Sequence, residues 1–149
     1  MSKHSFYIGN MNINISIPDK DSGRRFNRKL GEVMSYRTVT FYSPCNPGGT
    51  RHDCYQEEIL DDIKRDVKRV SKGVINGSQF YKHWMKLFFV KGNQYPLIQK
   101  DGVKVKRVMG EFLGHHTFRE NTFYFLINGS KVEANQLKYE SDDGVYYEL

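Results

Sequence analysis

Three kinds of residue grouping in this chain could do chemistry. The first is Cys45, His52 and Cys54, close together in a stretch rich in glycine. Zinc takes four soft or borderline ligands in a tetrahedron, and a glycine-rich loop lets nearby ligands converge. A fourth ligand would come from His4, His83, His115 or His116. No C-x-x-C pair is present and the spacing matches no standard zinc module, so two buried thiols beside a loop histidine is the competing reading. A Cys–His nucleophile pair would need a thiolate of low pKa, and nothing nearby marks one. Zinc is the only cofactor suggested.

The second grouping is Gly114-His115-His116-Thr117, followed by Arg119 and Glu120. A metal-independent nuclease needs a base, an acid and a cation for the developing phosphorane charge. His115 or His116 could serve as base or acid, with Glu120 as partner and Arg119 as charge stabiliser. The competing reading is a surface turn between strands. A further weak feature is Pro47-Gly48-Gly49-Thr50-Arg51, whose backbone N–H groups and arginine could hold an anion ahead of a helix. It lacks the G-x-x-x-x-G-K-[ST] pattern of a P-loop.

The third grouping is basic. Arg24, Arg25, Arg28 and Lys29 fall together, Lys64, Arg65, Lys68, Arg69 and Lys72 crowd a second stretch, and Lys100, Lys104, Lys106 and Arg107 a third. If these share a face they form a phosphate-binding footprint, and binding would be strongly salt-dependent. The middle group has a local explanation as well. Glu57, Glu58, Asp61, Asp62 and Asp66 precede its bases, an order that the helix macrodipole rewards. Aromatic residues interleave with the cations, among them Tyr36, Phe41, Tyr42, Tyr81, Trp84 and Tyr95. An exposed ring can stack a base, although burial is the commoner fate of a large apolar side chain.

Elements must position these residues. Met11, Ile13, Ile15 and Ile17 alternate with Asn12, Asn14 and Ser16, which predicts a half-buried strand ending at Pro18. Phe26, Leu30 and Val33 suggest a short helix over 23–34, weakened by Gly31. Tyr36–Tyr42 reads as a strand and 43–50 as a loop. Tyr55, Ile59, Ile63, Val67 and Val70 form one apolar stripe, so a long amphipathic helix is expected over about 54–72, with Asp53 as N-cap and Gly73 closing it. Residues 78–90 fit a short helix capped by Ser78, or a strand. After them, Tyr95–Gln99 pairs with Val103–Val108 across Asp101-Gly102, and Thr122–Ile127 with Ser130–Glu133 across Asn128-Gly129. Tyr139–Leu149 adds an edge strand. The expected fold class is α+β: a mostly antiparallel twisted sheet with the long helix on one face and one or two short helices.

The chain has 149 residues, which suits one domain. It contains ten Tyr and ten Phe but a single alanine, Ala134, so its core must use rings and β-branched groups. Scarce alanine with plentiful Lys, Asn, Ile, Phe and Tyr is what AT-rich coding produces, as in phages, mobile elements and AT-rich bacteria. The net charge is +6, unevenly spread. From Ser130 onward, two lysines face five carboxylates, leaving an acidic tail of net −3 and a remainder of +9. No secretory signal and no apolar run of ~18 residues is visible, so a cytoplasmic protein with reduced thiols and no membrane partner is expected.

These observations favour a small basic accessory protein that binds nucleic acid or another polyanion without catalysis. The expected contacts are Arg24, Arg25, Arg28, Lys29, Lys64, Lys68, Lys72, Lys100, Lys104, Lys106 and Arg107. Two alternatives differ in class: a small nuclease using His115 and His116, or a counter-defence factor whose basic surface meets an acidic protein or sequesters a nucleotide. Exposed aromatics at Tyr146–Tyr147 would suit a homo-oligomer.

Overall fold

The computed structural model describes residues 2–44, 46–114, 122–141 and 144–149. Alternation dominates the first third. Strand β1 (Ser2–Ile8) turns through Gly9, at φ 60°, into β2 (Met11–Ile17), with Ile8 opposite Met11. A two-residue turn of this kind joins antiparallel strands at their natural twist. The β2 isoleucines point inward and are fully buried, as the spacing requires. β3 (Gly23–Asn27) pairs with the start of β4 (Glu32–Ser43), while the later part of β4 lies between β2 and β5 (Asn46–Cys54). Together these strands form the first sheet, in the order β1-β2-β4-β3 with β5 paired to β4.

Two helices follow. α1 spans Glu57–Ser71 and α2 spans Gly77–Trp84, continued by a 3-10 turn at Met85–Leu87. α2 is capped by Asn76 rather than Ser78. The Asn76 side chain accepts from the Gln79 N–H at 2.9 Å, and Gln79 accepts from the Asn76 N–H at 2.9 Å. This reciprocal box satisfies two backbone donors that a helix start otherwise leaves orphaned.

The second sheet holds β6 (Gln94–Asp101), β7 (Lys104–Phe112), β8 (Tyr124–Ile127), β9 (Ser130–Glu133), β10 (Leu137–Glu140) and β11 (Tyr146–Glu148), in the order β11-β10-β6-β7-β8-β9. Asn128 and Gly129 both have positive φ, as the tight β8–β9 turn demands. The acidic tail from Ser130 onward supplies β9, β10 and β11.

The expected α+β class is therefore overturned. Among the described residues the fold is mostly β, 51% strand and 21% helical, with two antiparallel sheets and two helices. A long helix over 54–72 is not what forms. Asp53 and Cys54 finish β5, and the Asp53 carboxylate accepts from Thr38 Oγ1 at 2.8 Å instead of capping a helix. The helix over 23–34 is replaced by the β3–β4 hairpin, where Arg24, Arg25 and Phe26 pair with Ser35, Met34 and Val33. The loop over 43–50 becomes mostly strand. Asn46 Nδ2 donates to Thr50 Oγ1, and that hydroxyl donates to the Phe88 carbonyl at 3.1 Å, so the polar groups of β5 find tertiary partners.

One connected core joins the layers. Phe88 packs edge-on against Phe41 of the first sheet at 5.1 Å and against Tyr81 of α2 at 5.0 Å. Its neighbour Phe89 meets Tyr95, Phe112, Phe125 and Tyr139 of the second sheet at 4.6–5.6 Å. Two consecutive rings thus pin both sheets, through tilted contacts and the edge-on contacts that aromatic quadrupoles favour. Behind them, Trp84 Nε1 donates to the buried Asp66 carboxylate at 3.0 Å and ties α2 to α1.

Candidate binding site on the outer face of the first sheet

Strand alternation that buries one face of the first sheet turns the opposite side chains outward. Lys3 comes from β1, Asn12, Asn14 and Ser16 from β2, Thr38, Thr40 and Tyr42 from β4, and Arg51 from β5. These residues line an open groove of about 730 Å³, walled further by Pro44 and Pro47. Among the described residues no carboxylate lines it. A second depression, lined by Asp19, Lys20, Asp21 and Ser22, shares Thr38, Thr40 and Arg51 with the first. A third, beside Lys91 and Gly114, also reaches Arg51. Arg51 therefore stands where all three meet.

The groove wall is built by close backbone approach. Gly49 has φ +79°, and a Cβ there would come within 2.6 Å of the Tyr42 ring and 2.8 Å of Thr40 Cγ2. Only glycine lets the ring lie against β5 in that conformation. Asn12 is oriented by Ser5, whose hydroxyl donates to its Oδ1 at 3.1 Å, leaving the Asn12 Nδ2 as a donor. Further along the same face, the Arg25 guanidinium lies 4.5 Å above the Tyr36 ring, and Tyr36 packs on Tyr55 at 5.5 Å.

Arginines elsewhere are mostly compensated. Arg25 pairs with Asp53 at 2.6 Å, Arg37 with Glu57 at 3.5 Å, Arg65 with Asp62 at 3.2 Å, Arg69 with Asp66 at 3.8 Å and Arg107 with Glu140 at 3.8 Å. Among the described residues Arg51, Arg24 and Arg28 make no such pair. A guanidinium without an internal carboxylate keeps its fork available for a phosphate.

The three basic groups expected to act together lie on separate elements. Arg24, Arg25, Arg28 and Lys29 sit on the β3–β4 hairpin. Lys64 and Lys68 run along one stripe of α1 with Lys72 at its C-cap, beside arginines bound to Asp62 and Asp66. Lys100, Lys104, Lys106 and Arg107 decorate the β6–β7 ribbon of the other sheet, where pairing places Lys100 and Arg107 on one face and Lys104 and Lys106 on the other. Arg107 is further held by the Tyr146 hydroxyl at 3.0 Å.

The zinc grouping does not assemble among the described residues, where no set of three or more His, Cys, Asp or Glu comes together. His52 Nε2 hydrogen-bonds the Leu87 carbonyl at 2.8 Å, and its ring packs edge-on to Phe41 at 5.8 Å. Cys54 is buried and unpaired, and burial pushes its thiol pKa up, away from a thiolate nucleophile. Cys45 lies outside the described residues, as do His115, His116, Arg119 and Glu120. The Pro47–Arg51 segment does not open a helix. It belongs to β5, six residues or more before Glu57, so no helix dipole acts on an anion there.

Sequence reasoning assigned no role to Lys3, Asn12, Asn14, Ser16, Thr38 or Thr40, and offered Tyr42 only as one of several rings that could stack a base. The signal lay in the polar positions of the alternating runs Met11–Ile17 and Thr38–Tyr42, whose apolar positions alone were used. No family model, curated protein or solved structure matches the chain.

Proposed function

We propose that the protein binds nucleic acid without catalysis, and that a single-stranded polynucleotide lies along the outer face of the first sheet. The observation carrying this reading is the groove with Arg51 and Lys3, and no carboxylate among the described residues, in its lining. Guanidinium and ammonium groups pair with backbone phosphates, a tyrosine ring stacks a base, and amides and hydroxyls meet base edges and 2′-hydroxyls. From Tyr36 to Tyr42, β4 spans roughly 20 Å at ~3.3 Å per residue, a track for a few nucleotides. The overall charge of +6 adds long-range attraction for a polyanion.

Anisotropy of short labelled single-stranded DNA and RNA at several salt concentrations tests this. If Lys3, Lys20 and Arg51 each meet a phosphate, log affinity falls with log salt at a slope of about −2, from ~0.7 per contact. Arg51→Ala weakens binding about tenfold, the worth of one good charge-assisted hydrogen bond. Absence of binding at low salt, or affinity indifferent to Arg51→Ala, overturns the proposal.

A further inference from the structure

We infer that the tip of the β3–β4 hairpin is a wedge that enters the base stack where a single strand meets a duplex. This rests on the nucleic-acid reading above and assigns a distinct role to a different part of the molecule. Phe26, Leu30 and Val33 are each 62% exposed. Phe26 and Val33 are cross-strand partners, on the face opposite the Arg25–Tyr36 stack. Leu30 projects from the turn between them. A protein in water gains nothing by exposing three large apolar groups together at one tip, so the patch points to a partner.

The chemistry around the patch selects that partner. Arg24, Arg28 and Lys29 flank the apolar residues, and none pairs with a carboxylate among the described residues. Such a combination suits a ligand that offers phosphates outside and apolar ring faces inside. Apolar side chains inserted between base steps, with cations on the flanking phosphates, are the standard means by which proteins unstack and kink duplexes.

Hydrogen bonds define the turn at the tip. Asn27 Oδ1 accepts from the Lys29 and Leu30 N–H groups at 3.0 and 3.1 Å, and Gly31 N–H donates to the Asn27 carbonyl at 2.8 Å. Gly31 has φ 65°, the left-handed turn geometry that glycine accepts freely. Continuity supports the placement. The hairpin is the extension of β4, whose later residues Thr38, Thr40 and Tyr42 line the groove. A strand running along β4 from Arg51 and Tyr42 follows the Arg25–Tyr36 face, and meets Phe26 and Val33 on the opposite face by passing round the turn at Leu30.

The test uses a forked DNA with 2-aminopurine at its first paired position, alongside the corresponding single strand and mixed phosphatidylcholine–phosphatidylglycerol vesicles. The intact chain should raise 2-aminopurine fluorescence on binding the fork, because unstacking relieves its quenching. Leu30→Ser and Phe26→Ser should keep single-strand affinity within about threefold, as exposed substitutions do, but lose the fluorescence rise. Arg51→Ala should lose affinity for both DNAs. Binding without any rise, or a rise unchanged in both serine variants, overturns the wedge while leaving the groove reading intact. Sedimentation with the vesicles that Leu30→Ser abolishes also overturns it, by assigning the tip to lipid. Failure to bind any nucleic acid removes both readings.

Discussion

Asp66→Ala should destabilise the protein by an amount that its surroundings let us work out. The Asp66 residue is 8% exposed and Trp84 6%. Alanine at 66 leaves the Trp84 indole N–H buried without its acceptor, which costs ~1–3 kcal/mol. It also removes the 3.8 Å contacts to Arg65 and Arg69, whose own side chains are half exposed. Such pairs contribute at most about 0.5 kcal/mol each. The expected loss is therefore ~1–4 kcal/mol. For 149 residues, at about 2.1 cal/mol/K each, the unfolding entropy is ~0.3 kcal/mol/K, so the melting temperature should fall by roughly 3–13 °C. Asp66→Asn keeps an acceptor for the indole and should lose less than half as much. Differential scanning calorimetry reads these shifts, and a double-mutant cycle with Trp84→Phe isolates the pair, with a coupling of ~1 kcal/mol or more expected. A fall below about 2 °C for Asp66→Ala, or a coupling indistinguishable from zero, would refute the claim that this hydrogen bond joins the two helices.

Two further outcomes follow from the site and its surroundings. Gly49→Ala places a Cβ against the Tyr42 ring at a positive φ; it should cost ~1–3 kcal/mol and weaken oligonucleotide binding, whereas Gly48→Ala, with open space around it, should do neither. His4 has its pKa lowered from 6.5, first by burial and then by the positive charge of Lys64. Below about pH 6.5 the unfolded chain binds the proton more readily, so stability falls as pH drops through that value, and His4→Gln should flatten the melting-temperature profile between about pH 7 and 5.5.

Much of the first sheet was legible locally. The period of two in Met11–Ile17 selects a strand and says which side is buried, because successive side chains must leave opposite faces of an extended backbone. Asn128-Gly129 declares its hairpin for an equally local reason, since both positions adopt positive φ at little cost. The Gln79 partner that makes Asn76 the cap of α2 was also present in the sequence, three residues downstream, although Ser78 was the more conspicuous candidate.

The β3–β4 hairpin shows where local reading fails. Phe26, Leu30 and Val33 fit a helical spacing, but their stripe has no surface to cover. Arg24–Asn27 instead completes backbone bonds along β4, and tertiary pairing outweighs a weak local preference. Asp53 fits a cap in sequence, yet Thr38 and Arg25, both distant along the chain, claim its carboxylate. The same holds for His52, a plausible ligand by type, which the Leu87 carbonyl engages instead.

By itself the sequence determined the alternating faces, the turn chemistry, the ring-based core and the excess of positive charge, all properties set within a few residues. Only the tertiary structure decided that the described residues make two sheets, that Phe88 and Phe89 divide between them, and that Arg51 joins Lys3 in lining one groove. Those outcomes depend on which distant backbone and side chains meet, and the energy of such contacts exists only once the chain has closed on itself.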